Sequence, residues 1–190
     1  MTMAPGLRKF ALTAHLTFSV GWIGAVFVYL ALGVSAVTST DAETVRAAWI
    51  ALEVTGWFVI VPLALASLAT GLVMSLGTSW GLIRHYWVLI TLVLTVVCTV
   101  VTLLHMPDVS TRTDVVRQAN GADPSGFGGD LEHPGIGLVV LLVITVLNVY
   151  KPRGLTRYGW RKQREQRRKQ HDRRPASMPP ASPSAKSSSI

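Results

Sequence analysis

The sequence is poor in cysteine and lacks the short motifs of common metal sites. Its 190 residues include one cysteine, Cys98, so an internal disulfide framework is excluded. Because Cys98 lies within an apolar stretch, we expect it to be a small packing residue. Neither Cys-x-x-Cys nor His-Glu-x-x-His spacing occurs in the chain. Small disulfide-stabilised domains and zinc-finger classes are therefore excluded.

Charge is also missing from long parts of the chain. Four apolar stretches together hold one acid, Glu53, and two histidines: Phe10 to Val37, Trp49 to Leu76, Tyr86 to Met106 and Gly135 to Tyr150. A helix needs about 17–25 residues to cross the apolar core of a bilayer. The stretches lack the alternation of barrel strands, and helices satisfy their own backbone in lipid. We therefore predict an all-α protein, a bundle of four transmembrane helices.

The predicted helices occupy about residues 10–37, 49–76, 85–106 and 134–150, within a transmembrane domain of residues 1–156. Pro62, in the middle of the second helix, is expected to bend it. The first apolar run is longer than the roughly 7–15 residues of a signal-peptide core, so we expect it to be retained. Residues 157–190 are predicted to form a basic, then Pro- and Ser-rich tail that is partly disordered.

Basic residues set the expected orientation. Eleven of the 18 lysines and arginines lie between Lys151 and Arg174, and Arg8 and Lys9 precede the first helix. Such residues mark the cytoplasmic flank of a membrane protein, so both termini are predicted to be cytoplasmic in the cell membrane. The Lys151–Arg174 segment is expected to bind anionic lipids. Nucleic-acid binding is not expected, because no aromatic interleaving or RNA-binding motif accompanies the basic residues.

Polar residues follow one face of the third predicted helix. They recur at spacings of 4, 3, 4 and 3, the period of a helical face: Thr91, Thr95, Cys98, Thr102 and His105. Two interpretations stay open at this point. The threonine hydroxyls form hydrogen bonds between helices, or the face lines a site for a cofactor, ion or substrate.

Histidines supply the candidate ligands. His15 lies deep in the first predicted helix, on a face with Ser19 and Trp22, where an imidazole either forms hydrogen bonds or binds haem iron or copper. At the opposite leaflet, one carboxylate and two imidazoles fall at similar depth and predict a metal site: Glu53, His105 and His133. Met106 beside His105 would suit copper. Asp130 and Glu132 are further candidates, and crowding near an acidic loop is the alternative explanation.

Several segments resemble an uncharacterised family of actinobacterial integral membrane proteins over residues 10 to 160. They are His15-Leu-Thr-Phe-Ser-Val-Gly-Trp22-Ile-Gly, Trp57-Phe-Val-Ile-Val-Pro62, Arg84-His-Tyr-Trp87 and Val149-Tyr-Lys-Pro-Arg-Gly154. The resemblance implies a four-helix integral membrane protein and carries no biochemical role.

More distantly, His15 with Trp22 and the Lys151-Pro152 ending resemble the HemJ-type protoporphyrinogen oxidases and the copper-resistance CopD group. In the HemJ group the histidine of the first helix is implicated in haem binding, so the resemblance implies haem b at His15. Arg84 would then balance a haem propionate. That group also has a lysine four residues after a tryptophan in the third helix, and Thr91 stands there in this chain. Protoporphyrinogen oxidase activity is therefore not expected.

Three functional classes stay open from the sequence. The first is a haem- or copper-associated membrane protein that uses the histidines above. The second is a non-enzymatic scaffold whose basic tail binds lipid or a partner. The third is a small-solute permease, which would need a homo-oligomer because four helices are few for a monomeric carrier.

Overall fold

The computed structural model describes residues 3–77, 85–118, 130–151, 154 and 156, and five positions between 160 and 168. This part of the chain is helical: α1 Pro5–Thr38, α2 Ala42–Thr55, α3 Val61–Gly77, α4 Tyr86–Gln118 and α5 Glu132–Tyr150. A π-helical segment, Gly56–Ile60, joins α2 to α3 without a break. Four helical units within the described residues are therefore long and apolar enough to cross a membrane. The predicted all-α class and the four long apolar helices are confirmed.

The second and third units extend well beyond their predicted bounds. The second begins at Ala42 rather than 49, because the carboxylate of Asp41 caps α2 by accepting hydrogen bonds from the Thr44 amide at 2.9 Å and the Thr44 hydroxyl at 2.6 Å. The third was predicted to end at Met106, before Pro107. Instead, α4 continues through this proline to Gln118, and includes an ion pair one turn apart at 2.9 Å, from Arg112 to Asp108.

The irregularity expected at Pro62 takes the form of a π-helical turn. The amide of Val61 donates to the carbonyl of Gly56, five residues earlier. A proline ring conflicts with the carbonyl one turn before it in a regular α-helix, and the wider π turn just before Pro62 adjusts the backbone at this point. The turn also carries Gly56, at which a Cβ would overlap the Met106 side chain of α4.

Helix α1 packs against α2, α3 and α5, and α4 packs against the same three helices. The buried face of α1 repeats every three or four residues: Trp22, Ala25, Val26, Tyr29, Gly33 and Ala36. Elsewhere the bundle exposes large apolar side chains, among them Phe10, Phe27, Leu104 and Val139. We call the end of the bundle where α1 and α4 end and α2 and α5 begin the distal end.

The most completely buried side chains lie at the distal end, where α2 packs against the part of α4 beyond Pro107. Trp49 and Leu52 of α2 pack in this region with Val109 and Thr113 of α4, each fully buried. The Thr113 hydroxyl donates to the Trp49 carbonyl at 3.2 Å. This interhelical bond fixes α4 against α2 next to the candidate site.

Candidate metal centre

Three potential metal ligands meet at the distal end, from α4, from α5 and from the segment just before α5. His105 projects from α4, His133 lies in the first turn of α5, and Asp130 directly precedes the N-cap residue of α5. One ligand atom from each of the three lies within 4.8 Å of the other two. We call His105, Asp130 and His133 the distal triad.

The carboxylate of Asp130 links the two imidazoles of the distal triad. His105 Nε2 donates to Asp130 Oδ2, and His133 Nδ1 lies 3.4 Å from Asp130 Oδ1. The two imidazole rings stack with a centroid separation of 4.2 Å and an interplanar angle of 18°. Exposure rises outward through the triad, because the side chain of Asp130 is 7% exposed, that of His105 16% and that of His133 56%. The site is therefore closed on one side and open to the surroundings on the other.

A glycine of α1 allows Asp130 to reach this position. A Cβ at Gly33 would stand 2.9 Å from Leu131 Cδ2 and 3.3 Å from the backbone oxygen of Asp130. The absence of a side chain at Gly33 thus lets the segment before α5 lie directly on α1. Just after this segment, the amide of Gly135 donates to the Leu131 carbonyl at 3.0 Å, in the first turn of α5.

The chemistry of the donor set fits a divalent transition-metal ion. Two imidazole nitrogens and one carboxylate oxygen form the ligand type found in catalytic zinc sites and in non-haem iron(II) sites. Three protein ligands leave at least one coordination position for a small molecule. The side chain of Met106 contacts Gly56 and is 2% exposed, so this thioether serves packing between α4 and the π-helical segment.

The sequence grouped His105 and His133 with Glu53, and the structure has Glu53 in a different contact. Its carboxylate accepts a hydrogen bond from Arg117 Nη2 at 2.8 Å, and Arg117 also bonds to Asp114 at 3.1 Å. Asp130 is the carboxylate that meets the two histidines. From the sequence, Asp130 was named beside Glu132 as a further candidate of the acidic loop, and it lies three residues before His133.

His15 lies between α1 and α3 in a polar cluster. Its Nδ1 is 3.2 Å from the Ser67 carbonyl, to which it donates, and 3.1 Å from the Thr70 hydroxyl. Ser19 and Ser67 share a hydrogen bond of 2.8 Å one turn along, and the imidazole lies against Gly71. Because Nδ1 carries the proton in this arrangement, Nε2 keeps the lone pair that would bind a metal or haem iron. Arg84, its expected partner, lies outside the described residues.

Four threonines that precede Pro107 in α4 bond within their own helix. The hydroxyls of Thr95, Thr99 and Thr102 donate to carbonyls one turn earlier, at 2.7 to 2.9 Å, and Thr91 donates to Val88 at 3.1 Å. These distances give each hydroxyl a local acceptor. Of the two interpretations of this polar face, the one with hydrogen bonds between helices is not what these four hydroxyls show, since each bonds along α4.

Comparison with known proteins assigns no role to this chain, so a role has to be inferred from the geometry of its candidate sites. The chain matches no protein-family model, no curated protein and no solved structure. The resemblances drawn from the sequence accordingly stay predictions, and the distal triad is the arrangement with the most specific chemistry.

Proposed function

We propose that this is a multi-pass membrane protein that binds a divalent transition-metal ion of the zinc type through the distal triad. The observation that carries the proposal is the meeting of two imidazoles at one buried carboxylate. This set comes from positions 25 and 28 residues apart along the chain, since His105 is followed by Asp130 and His133. The proposal belongs to the first of the three classes left open by the sequence, the metal-associated membrane proteins. It names a zinc-type ion at the distal triad, where that class named haem or copper.

The membrane part of the proposal is supported by the apolar surface of the four helical units. Many large apolar side chains on these helices are exposed, as expected of residues that face lipid. The basic residues near both chain ends favour cytoplasmic termini, which puts the distal end on the opposite side of the membrane. The Lys151–Arg174 segment then meets anionic lipids of the cytoplasmic leaflet.

A metal ion suits the distal triad because of the burial of Asp130. Buried charges in proteins are paired or coordinate metals, and this carboxylate has a histidine at each oxygen. A divalent ion would neutralise the carboxylate and use both imidazole lone pairs at once. The nitrogen and oxygen donors favour zinc or a similar divalent ion, because soft thioether donors select copper(I).

Haem at His15 is the second candidate. It is favoured by the hydrogen bond from Nδ1 to the Ser67 carbonyl, because this bond fixes the tautomer that presents Nε2 as a ligand. The two sites lie in different parts of the bundle, so each is testable without the other.

Metal analysis of the detergent-purified protein tests the distal triad directly. The protein is incubated with Zn²⁺, or with Co²⁺ as a coloured substitute, and bound metal is counted after gel filtration. We expect one ion per chain, lost in His105→Ala, His133→Ala and Asp130→Asn. Glu53→Gln is the matched control, since Glu53 bonds to Arg117, and it should keep the ion. The proposal fails if the wild type retains no ion, or if Glu53→Gln loses it and the triad variants do not.

A further inference from the structure

Tyr29 of α1 has a buried hydroxyl to which no group in the described part of the chain bonds. Its side chain is 3% exposed, and its hydroxyl oxygen has no hydrogen-bond partner among the described residues. Buried tyrosine hydroxyls are normally hydrogen-bonded. Because Tyr29 lies near the distal triad, a molecule bound at the triad is a candidate hydrogen-bond partner for its hydroxyl.

Two observations place Tyr29 near the distal triad. Tyr29 precedes Gly33 by one helical turn on the same face, and Gly33 lies directly against Asp130. The Tyr29 ring approaches Gly56 with Cε2 3.7 Å from the Cβ position there, where Met106, the neighbour of His105, also packs. Tyr29 therefore lies in the buried interior near Met106 and the segment of Asp130, whereas His133 is on the exposed side of the triad.

We propose that Tyr29 is a positioning residue that holds a water molecule on the metal ion of the distal triad. This inference rests on the proposed metal site. The triad supplies three ligands, and a zinc-type ion takes a fourth, so the open position is filled by a small oxygen ligand. A water bound there donates a hydrogen bond to the Tyr29 hydroxyl oxygen, which gives the hydroxyl its missing partner. The metal site is thus of the open kind, which exchanges its fourth ligand.

The alternative is that Tyr29 only fills space, and the two roles predict different signs. If the hydroxyl is used only in the metal-bound state, removal of this oxygen weakens metal binding and leaves the metal-free protein as stable as before, or more stable. If the ring alone matters, phenylalanine replaces tyrosine without effect on the metal. The loss of an orienting partner outside the ligand shell typically weakens metal affinity by about 10- to 100-fold.

The test compares Tyr29→Phe with Tyr86→Phe, a control at the other end of the bundle. Zn²⁺ affinity is measured by competition with a chelating dye, and the melting temperature is recorded with and without Zn²⁺. For Tyr29→Phe we expect one ion per chain, an affinity about 10- to 100-fold lower, and a smaller rise in melting temperature on Zn²⁺ addition. Tyr86→Phe should match the wild type in all three.

A second measurement does not depend on the variant. Wild-type protein labelled with 3-fluorotyrosine has four tyrosines, and one fluorine signal should shift when Zn²⁺ is added. The shift should vanish in His133→Ala. Unchanged zinc affinity in Tyr29→Phe, or four unshifted fluorine signals in zinc-bound wild type, would overturn the role of Tyr29 and leave the metal site standing. Absence of zinc binding in the wild type would overturn both proposals.

Discussion

Substitution of Gly33 by alanine should weaken the distal triad without changing any ligand. The added Cβ would stand 2.9 Å from Leu131 Cδ2 and 3.3 Å from the Asp130 carbonyl oxygen. Ordinary contact begins at 3.4 Å, so Leu131 Cδ2 must move by about 0.5 Å and the Asp130 carbonyl by about 0.1 Å. Movement of this segment displaces Asp130, and a site needs its ligands held within about 0.5 Å. We expect about tenfold weaker Zn²⁺ binding, equivalent to about 1.4 kcal/mol.

The same substitution has two opposing effects on folding. Alanine in place of glycine within a helix stabilises it by about 0.5–1 kcal/mol. Overpacking at a close contact costs about 1–3 kcal/mol. Gly24 is the matched control, because it lies in α1 and a Cβ there meets no atom within 4 Å. Gly33→Ala should therefore be less stable than Gly24→Ala by about 1–3 kcal/mol.

The assay is unfolding in mixed micelles, followed by far-ultraviolet circular dichroism on metal-free protein, with zinc titrations run in parallel. Gly24→Ala should bind zinc as the wild type does. If Gly33→Ala equals Gly24→Ala in both stability and zinc affinity, the segment of Asp130 and Leu131 does not pack on α1 as described. Gly33 would then have no part in positioning Asp130.

Three further predictions concern other parts of the chain. If His15 only forms hydrogen bonds, His15→Gln should be tolerated. If His15 binds haem, the wild type should show a Soret band that His15→Ala abolishes. Wild type purified from haem-replete cells without this band would exclude haem. The hydrogen bonds from Thr44 hold the pKa of the Asp41 carboxyl below its ordinary value. The cap therefore stabilises the folded protein at neutral pH, and this stabilisation is lost as the pH falls below about 4. Asp41→Asn should reduce the acid sensitivity of thermal unfolding, and an unchanged pH profile would contradict this. Reporter fusions after residues 40, 78, 122 and 162 should read outside, inside, outside and inside, and an outside reading after residue 162 would contradict the proposed orientation.

The helices could be found from the sequence because charge is absent where lipid is expected, but their ends depend on local contacts. The third apolar stretch ends at Met106, and so the third helix was predicted to end there. In the structure the helix continues to Gln118, and this extension provides Arg117. Arg117 was therefore not expected beside Glu53, and Glu53 was grouped with the histidines by depth alone.

The candidate site shows the same limit. His105 and His133 were grouped because both fall at the same depth, His105 at the end of the third predicted helix and His133 just before the start of the fourth. This depth can be read from the sequence alone. Asp130 could be named only as one of several acids, since its selection depends on how closely the chain before α5 approaches Gly33. The missing hydrogen-bond partner of Tyr29 could not be predicted, because burial of a hydroxyl is a property of the packed bundle.

The tight contact between α2 and the end of α4 has a consequence for biosynthesis. Trp49 and Thr113, which meet there, are 64 residues apart in the chain. At roughly 5–20 residues per second, the ribosome would make Thr113 about 3–13 s after Trp49. During this interval the apolar side of α2 would lack the surface that later covers it. The nascent protein would therefore pass through a stage in which α1, α2 and α3 are made and the distal end is unprotected, and in this stage we expect it to need assistance from the insertion machinery.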